Sequence, residues 1–355
     1  HLDIEGIEWL ESYLKRYPKA FIVVSHDRMF LNQVVNKIYE IEYGEMILYH
    51  GNYEYYEQEK KKRYEINLKN YERQQKEIAR LQRIADRFRY KPSKASMALS
   101  KLKQIERMVK IAKPEKANTT TFHSNFSQIK ASGKVVLTVD HLKFGYQYPL
   151  GEITFTLDRG RRLGIIGANG SGKSTFLKTI MNVIPSLGGE FSFGHQVTVA
   201  YFDQQFDSLD SSLTVYEEFQ KHFPDKTDFE IRSLLASFLF SAEDITKKIE
   251  VLSGGEKVRL RLCEVIYEQA NFLVLDEPTN HLDILSKEKL ESILLDYPGT
   301  ILFVSHDRYF VKKLADSILE FGSSVTYYDY GYEDYLEKKK EREENILPPF
   351  KKEKI

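Results

Sequence analysis

The chain has 355 residues, of which 42% are hydrophobic, and its 52 Lys and Arg residues are balanced by 52 Asp and Glu residues. At roughly 150 residues per domain this length indicates about two domains, and the apolar content excludes a wholly disordered chain. The single cysteine, Cys263, excludes a disulfide scaffold and a Cys-rich zinc module. The sequence has no apolar run of about 18 residues and no signal-peptide pattern at its start, so we expect a cytoplasmic protein without membrane insertion.

An internal repeat starts at the first residue of the chain. All matching segments are separated by the same offset of 280 positions, without a gap. The second copy begins near Lys134, 147 residues before His281, and we expect the first copy to reach as far upstream of His1. The chain is then predicted to be the C-terminal part of a parent of about 500 residues, with residues 1–53 as the remnant of the first copy. The matching segments are residues 1–3 and 281–283, residues 23–30 and 303–310, and the pairs Gly51 and Gly331, Tyr55 and Tyr335, and Glu57 and Glu337.

The segment between the two copies is basic and contains no glycine from Tyr53 to Lys113. Residues 58–116 include 19 Lys or Arg and 7 Asp or Glu, a net charge of +12, which leaves −12 for the rest of the chain. Apolar residues recur every three or four positions on both sides of Pro92, which predicts an antiparallel pair of amphipathic helices with a turn near residues 89–96. The first run contains Tyr64, Leu68, Tyr71, Ile78, Ala85 and Phe88, with Gln75 and Gln82 also at seam positions, and the second contains Ala98, Leu102, Ile105, Val109 and Ala112.

Basic and aromatic side chains alternate at the expected tip of this hairpin. Guanidinium and ammonium groups contact phosphates, and either Phe88 or Tyr90 can stack on an unpaired base. The alternative is a solvated coiled-coil hairpin in which Phe88 is a seam residue. The predicted RNA-contacting residues are Arg87, Phe88, Arg89, Tyr90, Lys91 and Lys94.

A glycine-rich loop follows a short apolar run at residues 163–166 and precedes a helical pattern. This order and spacing are those of a P-loop, in which backbone N–H groups surround phosphates at the N-terminus of a helix. Lys173 is expected to neutralise the phosphates, and the Ser174 hydroxyl to bind Mg²⁺. The predicted phosphate-binding residues are Gly167, Asn169, Gly170, Ser171, Gly172, Lys173, Ser174 and Thr175.

Two carboxylates follow a second apolar run at residues 272–275. A carboxylate at the end of a buried strand beside a P-loop can hold Mg²⁺, which suits Asp276. Glu277, one position further, can act as the general base that polarises the attacking water. Without the P-loop, the favoured interpretation is a pair of acidic residues at a solvated strand end.

A Ser-Gly-Gly-Glu segment precedes a basic amphipathic helix at residues 257–262. A serine at this position can cap the helix, and the glycine amides and the helix dipole then form a second anion site. One nucleotide does not need two such sites on one domain, so we expect this site to close over a nucleotide that a partner domain holds. The predicted residues are Ser253, Gly254, Gly255 and Glu256.

Taken together, these motifs resemble the ATP-binding cassette (ABC) family, over residues 134–337 in full and residues 1–57 in part. The resemblance implies an α/β P-loop NTPase cassette with a helical signature subdomain, a truncated second cassette, and ATP and Mg²⁺ as cofactors. In the family, two cassettes close head to tail with ATP between the P-loop of one and the signature of the other. The further site residues that the resemblance implies are Asp3 and Asp283 in D-loops, His26 and His306 as switch histidines, Gln204 as a catalytic and Mg²⁺-binding glutamine, and Tyr146, or alternatively Tyr148, as the adenine-stacking aromatic.

The tandem cassettes, the basic linker and the motifs at residues 276–283 and 51–60 look like the ABC-F group. ABC-F proteins are ribosome-associated ATPases whose linker enters the tRNA exit site, and some protect ribosomes from antibiotics. The resemblance implies that rRNA and tRNA contact a linker at residues 54–118 and that the missing part of the first cassette is a second partner. No permanent transmembrane subunit is expected. The remaining predicted parts are a connector at residues 119–133, the second cassette at residues 134–337 and a charged tail at residues 338–355.

The signature that would complete the P-loop site lies upstream of residue 1 in this interpretation. We therefore expect these 355 residues to bind ATP but to hydrolyse it weakly on their own. Two alternatives stay open, namely the ATPase subunit of a membrane transporter and a nucleic-acid-binding assembly module in which ATP has a structural role.

Overall fold

The computed structural model describes residues 2–42, 44–114, 126, 129–203 and 209–346. These residues form two compact units, one from the described parts of residues 1–30 and 120–355 and the other from those of residues 31–119. Residues 31–53 thus group with the hairpin, whereas the repeat predicted that they belong with residues 1–30. Gln204 and half of the predicted tail lie outside the described residues, as does much of the predicted connector.

The helices and strands are numbered in chain order. The part of the chain before the cassette contains α1 (Ile4–Arg16), α2 (Arg28–Val34), β1 (Ile38–Glu42), β2 (Glu45–Tyr49), α3 (Tyr53–Phe88) and α4 (Ala95–Glu106). The cassette then begins with β3 (Val135–Gly145), β4 (Pro149–Asp158), β5 (Arg162–Gly167), α5 (Lys173–Ile180), β6 (Gly188–Phe193), β7 (Val199–Phe202), α6 (Val215–His222) and α7 (Asp228–Ser237). It continues with α8 (Gly254–Tyr267), β8 (Phe272–Asp276), α9 (Ile284–Asp296), β9 (Thr300–Val304), α10 (Arg308–Leu314), β10 (Ser317–Phe321), β11 (Val325–Tyr328) and α11 (Tyr332–Ile346).

A mainly parallel sheet forms the centre of the cassette, with strand order β11-β10-β5-β9-β8-β7 and only β11 antiparallel to its neighbour among the described pairings. Every residue of β8 and β9 is buried, as expected for strands covered on both faces. An antiparallel sheet of order β4-β3-β6 packs over α5, whose Phe176 is fully buried. This arrangement confirms the predicted α/β cassette fold. None of the described helices is long and apolar enough to cross a membrane.

The helices α6, α7 and α8 form the predicted helical subdomain, and the sequence determines where each one starts. Thr214, Thr227 and Ser253 each cap a helix, and a glutamate three residues later bonds back to the backbone N–H of the cap. These reciprocal bonds satisfy two N–H groups that would otherwise lack partners at a helix start. Phe219 and Leu262 are fully buried in the core that these helices share with the central sheet.

The repeat is visible in the structure as equivalent elements. The helices α1 and α2 match α9 and α10 at the offset of 280. The offset falls to 279 after the following β-hairpin, because Ile41 pairs with Met46 whereas Phe321 pairs with Val325. The prediction of a gapless repeat is therefore wrong beyond this turn, and the equivalent of Tyr335 is Tyr56 rather than Tyr55. Tyr56 and Tyr335 donate hydrogen bonds to the equivalent carboxylates of Glu40 and Glu320.

The segment between the copies forms the predicted antiparallel helical hairpin, with α3 and α4 packed together and a single 3₁₀ turn at Pro92–Lys94. Its seam differs from the predicted one at several positions. Gln75 and Gln82 are exposed, and the seam passes instead through Leu81, which is fully buried. The second run was also predicted too long, because α4 ends at Glu106 and the later positions Val109 and Ala112 are exposed.

Truncating Leu81 to Ala is expected to loosen the hairpin by about 2–5 kcal/mol, because it removes buried methyl groups and leaves a cavity between α3 and α4. Hydrogen exchange of the α3 and α4 amides in the whole chain measures this effect. Leu99→Ala is the matched control, since Leu99 lies on α4 and is exposed. Equal effects of the two substitutions would contradict the observed seam.

Candidate nucleotide site

The predicted phosphate loop connects β5 to α5, and its glycines are required by its conformation. Gly167 has φ +152°, and a Cβ there would lie 2.4 Å from the carbonyl oxygen of Phe321. Gly172 has φ +97° and immediately precedes α5. A side chain at either position would strain the backbone. The loop can therefore bring successive N–H groups to the start of α5, where the helix dipole favours an anion.

Lys173 and Ser174 open α5 and face the end of β8. The ammonium group of Lys173 donates to the carbonyl oxygens of Gly167 and Ala168 at 2.8 and 2.7 Å. Burial lowers the pKa of Lys173, although the negative charges of Glu277 and Asp3 oppose this shift. The Ser174 hydroxyl donates to a carboxylate oxygen of Asp276 at 3.1 Å. A hydroxyl and a carboxylate in contact are oxygen ligands of the type that Mg²⁺ prefers, so the residues present fit this ion.

Glu277 and His306 form the next layer of the site. The His306 Nε2 lies 3.3 Å from one carboxylate oxygen of Glu277, and the His306 backbone N–H donates to the other at 3.3 Å. Burial raises the pKa of Glu277 to about 7, while the hydrogen bond from His306 opposes the shift. Burial and the nearby charge of Lys173 lower the pKa of His306 to about 4, so its ring is neutral at pH 7. Glu277 also has φ +52°, a strained conformation that is concentrated at functional sites.

Asp3 from the first copy touches the phosphate loop of the second. One of its carboxylate oxygens accepts from the backbone N–H of Gly6 at 2.9 Å and thereby caps α1. The other accepts from the backbone N–H of Asn169 at 3.0 Å. These two bonds lower the pKa of Asp3. Asp3, a site residue that the repeat and the family resemblance together predict, therefore lies at the P-loop of the opposite copy.

A cleft of about 870 Å³ lies between the two copies within this unit. Leu2, Val23 and Ser25 line it from the first copy. The second copy contributes Tyr146, which lines the cleft where Tyr148 does not, so the structure favours Tyr146 of the two aromatic candidates. Further lining residues of the second copy are Asn169, Gly170, Gly172, Lys173, Ser174, Thr175, Asp276, Glu277 and His306.

Other predicted site residues lie elsewhere in the described structure. Ser253 caps α8 by accepting from the Glu256 backbone N–H at 3.3 Å, but this signature segment does not line the cleft. Asp283 caps α9 in the same way that Asp3 caps α1. The side chain of His26 is exposed and does not line the cleft either. These positions are compatible with a role at a second nucleotide, for which they remain predictions.

Asp203 and Lys287 line the cleft although neither was a predicted site residue. A sequence signal for Asp203 does exist, because it directly follows β7 and β7 pairs with β8, whose last residue is Asp276. The carboxyl ends of adjacent parallel strands lie at the same edge of a sheet. No comparable signal exists for Lys287, which lies in the first turn of α9 and is buried.

Comparison with known families identifies the class of this site. Two family models, both described as "ABC transporter", match residues 39–123 and 150–280. The solved structure of the RNase-L Inhibitor has a TM-score of 0.60 at 21% identity, covering 96% of this chain and 61% of that chain, which shows the shared fold. The chain contains an ATP-binding-cassette ATPase domain.

The similar sequences include a protein named as a member of the F family of ABC transporters. The ATP-binding protein YdiF of Bacillus subtilis is 46% identical over 347 residues, which are 96% of this chain and 54% of YdiF. ABC transporter F family member 2 of Arabidopsis thaliana is 38% identical over 95% of this chain and 51% of that protein. The ATP-binding protein YheS of Escherichia coli K12 is 34% identical over 94% of this chain and 53% of that protein. The chain thus spans about half the length of the curated relatives it matches.

The pKa of Glu277 predicts how stability depends on pH in the absence of ATP and Mg²⁺. The native state keeps this proton up to about pH 7, whereas the unfolded chain loses it near 4.5, so ionisation lowers the free energy of unfolding as the pH rises through this range. Glu277→Gln removes the effect, and the variant should gain up to about 3 kcal/mol over the parent by pH 8. Urea denaturation at pH 5 to 8 measures the difference, with the exposed Glu250→Gln as control. A stability difference that is constant over this range would contradict the burial of an ionisable Glu277.

Proposed function

We propose that this chain is the C-terminal part of an F-type ABC ATPase that binds ribosomal RNA or tRNA through its hairpin and modulates translation. The observation that carries the proposal is the basic hairpin inserted between two copies of a nucleotide-binding repeat. Its sequence carries a net charge of +12 over residues 58–116. A concentrated positive charge on one element is the electrostatic footprint of a polyanion partner.

The tip of the hairpin presents the groups that such a partner needs. Arg87, Arg89, Lys91 and Lys94 are all exposed. Tyr90 has 87% of its surface exposed and is ready to stack on a base. The ring of Phe88 is only partly exposed and already has the ammonium group of Lys94 4.8 Å from its centroid. Of the two aromatic residues, Tyr90 is therefore the better candidate for base stacking.

In the proposed ATPase reaction, the loop N–H groups and Lys173 bind the phosphates while Ser174 and Asp276 hold Mg²⁺. The bound ion neutralises negative charge on the phosphates. Glu277 accepts a proton from the attacking water, for which a carboxylate with a pKa near neutrality is suited. The neutral His306 keeps Glu277 oriented through its two contacts with the carboxylate.

The remainder of the first copy is the second proposed partner. The strand β9 of the second copy is fully buried, and its Leu302 and Val304 have no exposed surface. The equivalent residues of the first copy, Ile22 and Val24, are 98% and 90% exposed. Apolar side chains at these positions need flanking strands like β5 and β8 to cover them. We propose that a longer chain supplies these strands, and with them the signature that faces the cleft.

This assignment predicts weak hydrolysis by the 355-residue chain and faster hydrolysis by a protein that includes the whole first copy. Glu277→Gln in that longer protein should lower the rate about 100-fold or more and leave ATP binding intact, since it removes the general base but no phosphate contact. Phosphate release and ATP binding measured on the same preparations test both statements. A chain of 355 residues that is as active as the longer protein would contradict the role of the first copy.

Ribosome binding is expected to depend on the hairpin tip. Replacing Arg87, Arg89 and Lys91 together by Ala should weaken co-sedimentation with purified ribosomes and lower its salt dependence, because each lost phosphate contact reduces counterion release. Tyr90→Ala should weaken binding by about 1–3 kcal/mol without changing the salt dependence. The control replaces Lys15, Arg16 and Lys19, which are exposed on the first copy and carry the same charge.

The same measurement separates the proposal from its alternatives. Equal losses in the hairpin variant and in the control would mean that net charge, rather than the tip, determines binding. Absence of ribosome binding together with co-purification of a membrane protein would favour the transporter subunit instead.

A further inference from the structure

Two buried ion pairs join the repeat copies, and they are equivalent under the offset of 280. Arg28 of the first copy donates to Glu291 of the second, and Arg308 of the second donates to Glu11 of the first. Arg28 and Arg308 are equivalent positions, as are Glu11 and Glu291. All four side chains are less than 10% exposed. Each copy therefore contributes one arginine and one glutamate, and each residue pairs with the opposite charge on the other copy. The same reciprocity is found in an interface that two like subunits form around a twofold axis.

These pairs lie next to the parts of each copy that meet the nucleotide site. Arg308 follows the switch residue His306 by two positions and begins α10. Glu11 lies two turns along α1 from Asp3, which contacts the phosphate loop at Asn169. The helix α1 is therefore held at its N-cap by the loop and further along by Arg308. A shift of α1 by one residue would break both contacts.

The centre of this interface contains two carboxylates of like charge and one lysine. Coulombic repulsion from Asp307 contributes to the raised pKa of Asp27, which is mainly due to burial. Lys287 donates to Asp307 at 2.8 Å and to the backbone carbonyl oxygen of His26 at 3.2 Å, so it bridges the two copies. The position equivalent to Lys287 in the first copy is Ile7. The single lysine Lys287 thus donates hydrogen bonds to residues of both copies.

The two ion pairs differ in the number of further contacts that their residues make. The guanidinium of Arg28 lies 3.8 Å from the ring centroid of Tyr309 and 3.6 Å from Glu288, and Glu291 also pairs with Lys313 at 2.9 Å. For Arg308 and Glu11, the described residues form no ion pair other than the one between them. The loss of Glu11 therefore leaves Arg308 without a carboxylate within ion-pair distance, whereas the loss of Glu291 leaves Arg28 with Glu288 and Tyr309.

We propose that the reciprocal pairs Arg28–Glu291 and Arg308–Glu11 form a docking surface through which one copy of this repeat holds another without ATP. The surface also sets the register in which Asp3 meets Asn169. A buried charge that loses its partner is costly, so any other register of the two copies is excluded by unpaired arginines and glutamates. The partner that fits this surface is a second copy of the same repeat carrying the same arginine and glutamate. The inference does not depend on what the hairpin binds.

Hydrogen exchange of the α1 amides in the whole 355-residue chain without ATP tests this surface. Glu11→Gln should accelerate their exchange about tenfold or more, while the amides of β8 and β9 keep the exchange rates of the parent. Glu5→Gln is the matched control, because Glu5 is an exposed glutamate on the same helix, and it should leave exchange unchanged. Glu291→Gln should have a smaller effect than Glu11→Gln. Fluorescence of Trp9, the single tryptophan, follows α1 independently.

The charge-swapped chain with Glu11→Arg and Arg308→Glu decides the case. If the double variant recovers most of the protection of the α1 amides that Glu11→Gln loses, a direct ion pair between positions 11 and 308 is supported. This holds even where Glu11→Gln alone disturbs the whole unit. No recovery, or equal exchange in the Glu11→Gln and Glu5→Gln chains, overturns the proposal. Protection of α1 that requires ATP in the parent chain also overturns it. None of these results depends on ribosome binding or on hydrolysis, so the proposed function can fail separately.

Discussion

The whole site depends on the parallel pairing of four strands that end at one edge of the sheet. The strands β5, β9, β8 and β7 pair side by side in the same direction. Their carboxyl ends therefore bring the glycine-rich loop, His306 and the two acidic residues Asp276 and Glu277 to one place. The packing of α5 between the two sheets holds the start of that helix against this edge. Residues that are spread over 140 positions of the sequence, from Gly167 to His306, therefore lie close together in the fold.

Burial at this edge also shifts the pKa values of acidic and basic site residues in opposite directions. The desolvation that raises the pKa of Glu277 lowers the pKa of Lys173 and His306. Each group is moved toward its neutral form because charged forms are disfavoured away from water. A nucleotide with bound Mg²⁺ brings charges of both signs into the same space. In the proposed ATPase, the ligand rather than the protein alone would complete the electrostatic balance of this site.

The parts that the sequence predicted are those with local signals. The P-loop, the acidic strand end and the capping serine each occupy a few consecutive residues, and their geometry follows from backbone chemistry. The hairpin was predicted from periodicity, but its seam was misplaced because the adjacent residues Leu81 and Gln82 both fit a helical period of 3.6 residues, and only packing against α4 decides between them. The turn after Phe321 is one residue shorter than the turn after Ile41, and the sequence does not reveal this difference because matching tyrosines still align by chance at the wrong register.

The reciprocal ion pairs escaped prediction for a different reason. A sequence shows that Arg28 and Arg308 are equivalent, and likewise Glu11 and Glu291, but not that the arginine of one copy meets the glutamate of the other. The repeat itself contains the missing information, because two equivalent surfaces that meet must do so twice. Identical charged residues at equivalent buried positions of two repeats are therefore worth testing as cross-copy pairs.

The distribution of charge gives the hairpin a different physical role from the cassettes. Like charges along α3 and α4 repel one another, and local pairs such as Glu77 with Arg80 offset only part of this repulsion. The apolar seam around Leu81 keeps the helices together despite it. An element that is folded by a narrow seam and keeps most of its positive charge exposed is stabilised further when a polyanion lies along it. The acidic remainder of the chain repels the same polyanion, so the neutral total charge is compatible with a partner that contacts the hairpin alone.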